Sequence, residues 1–133
     1  MATIQGDNTN NRLVGTNTGV DTLIGLGGDD TLDGGTGNFR DSLVGGAGND
    51  TYIIRADNGN IASALPDFIL ENANEGNEFV YASINYQLTG SIENLIMTGT
   101  ANLNGFGSSV ANNIYGNDGN NVIDGGTGAD FMA

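Results

Sequence analysis

The sequence predicts an all-β solenoid, and three observations predict it. Large apolar residues return at Ile4, Leu13, Leu23, Leu32, Leu43 and Tyr52, with spacings of 9, 10, 9, 11 and 9. Every period from residue 6 onward opens on a glycine-rich turn. Each of these also places Asp or Asn two positions before its apolar residue, at Asn11, Asp21, Asp30, Asp41 and Asp50. A single period is too short to bury its inward residue, whereas stacked periods bury a column of them.

The first block holds five such segments: GDNTNNRLV (6–14), GTNTGVDTLI (15–24), GLGGDDTLD (25–33), GGTGNFRDSLV (34–44) and GGAGNDTYI (45–53). In each, the turn is followed by a short β-type run whose middle residue points inward and whose neighbours point outward. Segment 15–24 carries one residue beyond the ninefold period, and segment 34–44 carries two, with Phe39 and Arg40 in the excess.

Residues 55–98 break the rhythm and hold all four Glu residues and the one proline, Pro66. Phe79 to Leu88 alternates like a strand, with Ile84, Tyr86 and Leu88 on one face, and Ile92 to Met97 reads as a second strand. Asn72 to Gly76 reads as a turn, and a short helix is an option around Ile61 to Leu65. The beat then returns at Leu103, Ile114, Ile123 and Met132, spaced 11, 9 and 9, through the segments GNDGNNVID and GGTGADFMA. The domain reading is therefore residues 1–54, 55–98 and 99–133 as parts of one continuous domain. The array stops at the Met132 position without a polar cap, so the chain is expected to be a module of a longer protein.

Charge narrows the function. Sixteen acidic residues face three Arg and no Lys, a formal net charge of −13. Nucleic acid would be repelled by it, as would an anionic membrane surface. The absence of Cys and His removes zinc fingers, thiolate nucleophiles and His-based triads. No apolar run reaches membrane-spanning length, and the N-terminal residues lack the basic and apolar regions of a cleavable signal peptide.

Such a charge does suit a protein that gathers divalent cations, because self-repulsion falls as ions bind. A turn of the form G-G-x-G-x-D needs backbone angles that a Cβ would obstruct. With side chains removed, carbonyls can point between neighbouring turns. Calcium takes six to eight oxygens at about 2.3–2.6 Å, which carbonyls of two turns and one or two carboxylates can supply. An isolated Asp or Asn in a turn is explained by its tolerance of left-handed angles. Five in register, each followed by the same apolar position, are not.

The segments GLGGDDTLD and GGAGNDTYI resemble the nonapeptide G-G-x-G-x-D-x-U-x of RTX (repeats-in-toxin, hemolysin-type) proteins, a repeat known to form a calcium-binding parallel β-helix. The resemblance covers residues 3–54 and 105–133. It implies a right-handed parallel β-roll in two blocks separated by a non-repeat β segment. It also implies that repeats n and n+2 stack, with the ion between them. One edge then holds Asn11, Asp30 and Asp50, and the other holds Asp21 and Asp41. The uninterrupted repeats make Asp30 with Asp50 the leading site. Neutral Asn11 weakens its own, and the lengthened turns and Arg40 put the Asp21/Asp41 site in question. In the second block Asp130 keeps the ligand position while Asn121 replaces it, so part of that block is expected to be metal-free. The segment ENANEGNEFVYASINYQL with SIENLIMTG is similar to stretches between RTX blocks, which suggests a further ion at Asp67, Glu71 and Glu78.

The leading function is a calcium-binding structural module of a secreted protein. The resemblance implies type I export and folding outside the cell, beside neighbouring domains of a parent protein. The alternative is an extracellular polysaccharide-recognition or adhesion module, with Tyr81, Tyr86, Tyr115 and Phe106 as candidate aromatic platforms. An ice-binding face would need outward Thr and Asn in register, and only Thr36 with Asn38 fits. An enzyme is not expected: Glu71, Glu75 and Glu78 offer acids for glycoside hydrolysis, but no nucleophile motif or nucleotide loop accompanies them.

Overall fold

The computed structural model describes residues 1–37, 39–55 and 66–133. The short helix considered around Ile61 to Leu65 lies outside the described residues. Fourteen strands occur among them: β1 Thr3–Gln5, β2 Arg12–Val14, β3 Thr22–Gly27, β4 Thr31–Asp33, β5 Ser42–Ala47, β6 Thr51–Ile54 and β7 Phe68–Leu70, followed by β8 Phe79–Ala82, β9 Tyr86–Gln87, β10 Asn94–Met97, β11 Asn104–Phe106, β12 Asn113–Tyr115, β13 Val122–Asp124 and β14 Phe131–Met132. Every pairing is parallel. The even strands make one seven-stranded sheet, β14-β12-β10-β8-β6-β4-β2, and the odd strands make two sheets, β1-β3-β5-β7 and β13-β11-β9. Each coil contributes one odd and one even strand, which is a β-solenoid of the expected class.

The core is two stacked columns. Leu13 lies on Leu32, Leu32 on Tyr52, Tyr52 on Val80, Val80 on Leu95 and Leu95 on Ile114. Opposite them run Ile4, Leu23, Leu43 and Ile69. Most of these side chains are fully buried, and burying one such side chain is worth about 1.5–3 kcal/mol. Stacking therefore supplies what a single repeat lacks.

The non-repeat segment separates the blocks in sequence but not in the sheet. Hydrogen-bonded partners in successive coils are 19 or 20 residues apart in the first block. They are 26 and 28 apart where residues 55–78 are accommodated, then 15 across β8 to β10, and return to 18 or 19 afterwards. One long coil is followed by one short one, and the even sheet passes through both.

Two expectations change. The alternating stretch Phe79 to Leu88 is not one strand but β8 and β9, because the solenoid turns a corner at residues 83–85. Ile84, Tyr86 and Leu88 are buried all the same. In the second block the column position next to Ile123 is Gly105, not Leu103. Leu103 is buried one residue before β11. A Cβ at Gly105 would press on Met97 Sδ at 3.0 Å and Leu95 Cδ2 at 3.2 Å. Those two large side chains fill the space that an apolar residue takes elsewhere.

Candidate metal centre

The turns that precede the even strands stack into one edge of the solenoid, and those that precede the odd strands into the other. In each turn the residue two before the column residue sits where the chain leaves the turn. Its carboxylate reaches back one coil. On the first edge the N–H of Asn11 donates to Asp30 Oδ1 at 2.7 Å, and the N–H of Asp30 donates to Asp50 Oδ1 at 2.8 Å. On the second edge the N–H groups of Ala2, Asp21 and Asp41 donate to Asp21, Asp41 and Asp67 at 2.7, 2.6 and 2.9 Å. Asp67 thus occupies the next ligand position above Asp41, and the structure does not bring it to Glu71 and Glu78.

The second carboxylate oxygens set Asp30 and Asp50 apart from Asp21. Asp30 Oδ2 and Asp50 Oδ2 are buried with no hydrogen-bond partner. A Cβ at Gly25 would collide with Asp30 Oδ2 and with the Gly45 carbonyl oxygen. Glycine there leaves a cradle lined by a carboxylate and a carbonyl from the next turn. Asp21 Oδ2 instead accepts both the N–H and the hydroxyl of Thr16, each at 2.6 Å. These bonds hold the Asp21 carboxyl below its ordinary range. Arg40 donates to the Pro66 carbonyl at 3.0 Å and lies over the Phe68 ring.

Electrostatics follow the same division. Burial raises the Asp30 carboxyl, against the N–H bond from Asn11. It pushes Asp50 up to about 6, helped by the Asp30, Asp29 and Glu75 charges. Glu71 rises to about 8 through burial and the Glu78, Asp50 and Glu75 charges. Burial, then Glu93, raises Glu78. A carboxylate buried without a partner costs free energy until a proton or a cation neutralises it. Among the described residues, no three such side chains are arranged to hold an ion by themselves. Carbonyls from the glycine turns must complete any coordination shell, and calcium accepts such a set.

Amides replace carboxylates at Asn11, Asn112 and Asn121. Asn11 Oδ1 accepts the Asp7 N–H at 2.7 Å, and its Nδ2 donates to Asp7 at 3.2 Å. Asn121 closes its turn on Asn117 in the same way, at 2.9 and 2.7 Å. Asn112, unremarked in the sequence reading, accepts from Ser108 N–H and donates to the Ile92 carbonyl. An amide carries its own donor and acceptor, so it bridges without a metal. Asp130 keeps one bond, from the Asn112 N–H at 2.9 Å, and is half-exposed.

Sequence reasoning also missed a polar ladder beside the first edge. Asn10, Asp29, Asn49, Asn77, Asn94 and Asn113 are linked in succession by bonds of 2.9–3.0 Å. The recurrence of Asn or Asp just before the ligand position was the available signal in the repeats, and the interruption hid its continuation. Asp33, which follows its column residue rather than preceding it, is buried and ion-paired to Arg55 at 2.6 Å. Of the candidate aromatic platforms, Tyr86 is buried, Phe106 half-buried, and Tyr81 and Tyr115 exposed.

Stacked parallel coils, glycine cradles and orphaned buried carboxylates define a cation-stabilised repeat solenoid. The family model of the RTX calcium-binding nonapeptide repeat matches in four copies, at residues 5–38, 16–52, 37–60 and 106–133. Together these cover more than half of the chain, and the chain belongs to that family. No curated protein and no solved structure matches significantly. The chain is a calcium-binding structural module.

Proposed function

We propose that this module folds on binding calcium outside the cell, as part of a secreted protein exported by the type I route. The observation that carries the reading is the pair of buried, unpartnered oxygens Asp30 Oδ2 and Asp50 Oδ2. Without an ion, these charges and the entropy of a glycine-rich chain oppose order. With calcium, binding free energy becomes folding free energy. Export in the unfolded state then suits a chain that meets millimolar calcium only outside, within the affinity range of extracellular calcium modules.

The repeat-type ligands are Asp30 and Asp50 on the first edge. Asp21, Asp41 and Asp67 form the second, and Asp130, just before β14, stands at the far end of the first. Thr16 already satisfies Asp21, so the site that uses it is the weaker. Asn11, Asn112 and Asn121 support a reading in which parts of both blocks stack without metal.

Circular dichroism in EGTA, in magnesium and in calcium tests the coupling. Gain of β-structure in millimolar calcium, but not in equal magnesium, is the expected result. Magnesium demands near-octahedral geometry and keeps its waters, which carbonyl-rich turns do not suit. A β-spectrum and melt unchanged by EGTA would overturn it.

A further inference from the structure

The nonapeptide pattern stops after residue 53, yet the first edge does not. The coil above turn 45–50 closes with the loop 71–78, which has no repeat sequence. The Gly48 N–H donates to the Glu75 carbonyl at 2.8 Å, and the Asn77 N–H to Asn49 Oδ1 at 2.9 Å. The loop and the last full repeat turn are thereby bonded in both directions, each donating one N–H to the other.

Three carboxylates meet at this junction. A Cβ at Gly45 would collide with Asp50 Oδ2 and would lie 2.5 Å from Glu71 Oε1, so both oxygens crowd one point. A Cβ at Gly76 would collide with the Gly48 carbonyl oxygen and lie 2.5 Å from Glu78 Oε1. Asp50 Oδ2, Glu71 Oε2 and Glu78 Oε1 are each buried and without a hydrogen-bond partner. Asp50 and Glu78 are 0% and 1% exposed. Arg12 and Arg55 face Asp33 instead, and Arg40 donates to the Pro66 carbonyl.

Two like charges at such a place repel, and three cannot all stay ionised without a counter-charge. Each of Glu71 and Glu78 feels the Asp50 charge, and Glu71 feels Glu78 as well. Among the described residues the three do not converge on one point by themselves: Asp50 and Glu71 meet at Gly45, and Glu78 lies at Gly76. Tyr52 stands in the column where the lower coils have Leu13 and Leu32. Its hydroxyl donates to Glu71 Oε1, which fixes one carboxylate oxygen at the junction.

We propose that Asp50, Glu71 and Glu78, with the Gly48 carbonyl, form a calcium site that clamps the interrupting loop onto the last full repeat. It rests on the reading of the repeat turns as calcium sites. It differs from them in taking two Glu from outside the repeat sequence, of which Glu78 stands two residues before the column residue Val80 as Asp50 stands before Tyr52. With three carboxylates it is the most highly charged site of the first edge, so it fills at lower calcium than the Asp30 site. The ion sets the long coil in register, which lets β8 continue the even sheet into the second block.

Calorimetric calcium titration of the full chain, its Glu71→Gln/Glu78→Gln double variant and Asp30→Asn tests the proposal. The double variant is expected to bind one ion fewer than wild type and to lose the tightest phase. Asp30→Asn is expected to lose a different, weaker ion. If Asp30→Asn loses an ion and the double variant keeps the wild-type number, the junction is occupied by protons and the proposal fails while the repeat reading stands. If wild type binds no calcium, both fail. A second measurement covers a double variant that does not fold. Terbium, an oxygen-seeking stand-in for calcium, is sensitised by a nearby tyrosine, and Tyr52 touches Glu71. Tyr52→Phe is expected to remove most of the emission from the first terbium bound. Emission that survives Tyr52→Phe undiminished would overturn the site.

Discussion

Asp50 accepts the backbone N–H of Asp30 through one oxygen, at 2.8 Å, and keeps its other oxygen buried without a partner. One carboxylate thus performs two tasks. Its first oxygen sets the register of adjacent coils, and its second supplies charge to the turn. Asp30 repeats the arrangement one coil earlier, on Asn11. The two tasks are separable by substitution. Asn keeps the acceptor and removes the charge, so Asp30→Asn leaves the register bond and weakens calcium binding. The expected loss is about tenfold in affinity or more, about 1.4 kcal/mol. Asp21→Asn costs less, because Thr16 already satisfies the second Asp21 oxygen. Calorimetry on the two variants checks the order, and equal losses would point to diffuse attraction between calcium and an acidic surface.

The raised carboxyls predict opposite pH responses with and without calcium. Asp50 at about 6 and Glu71 at about 8 bind more protons in the folded chain than at their ordinary values of 3.8 and 4.5. Their contribution to apo stability is complete below about pH 4 and is lost as pH rises through 6 to 8. Calcium takes the place of those protons, so its apparent affinity rises over the same window. Melting curves at pH 5 and pH 8 check this: the EGTA-treated protein is more stable at pH 5, and the calcium effect is larger at pH 8.

Asp33 separates an ion-pair role from a metal role. It is 2% exposed and bonded to Arg55 Nη2 at 2.6 Å, with Arg12 at 3.9 Å. Asp33→Asn is expected to destabilise the calcium-loaded module by about 1–3 kcal/mol, the usual effect of losing a charged hydrogen bond at a buried group. The number of bound ions stays the same. Denaturant melts and calcium titration read the two quantities separately.

Leu26 holds a backbone angle meant for glycine. Its φ is 88°, and it pairs in register with Gly46 at φ 101°. A side chain in that region costs about 1–2 kcal/mol, and Leu26 is 41% exposed, so little burial offsets it. Leu26→Gly is expected to raise calcium-loaded stability by about 1 kcal/mol. A fall in the denaturation midpoint would show that this turn is not strained.

The apolar beat and the Asp two positions before it made the first block legible almost residue by residue. Leu13, Leu32 and Tyr52 stack in register, as do Ile4, Leu23 and Leu43. Their spacing carries the information, since each coil is two periods. The interruption was less legible because coil length there departs from two periods. Val80 stacks on Tyr52, and Leu95 on Val80, across gaps that no repeat predicts. Leu103 and Gly105 exchanged roles because Met97 and Leu95, from another strand, fill the space beside β11. The same limit applies to the acids. Asp30 and Asp50 follow from spacing, whereas Asp50 beside Glu71, and Asp67 above Asp41, follow only once the long coil is closed.

The central claim is that calcium sits between stacked turns and neutralises the orphaned carboxylates. Crystals grown in calcium, measured at a wavelength where its anomalous signal is strong, test it most directly. The account predicts an anomalous peak between turns 25–30 and 45–50, within bonding distance of Asp30 Oδ2 and the Gly45 carbonyl. Intact coils with no peak between those turns, and with Asp30 Oδ2 bonded to a proton or water instead, would contradict it.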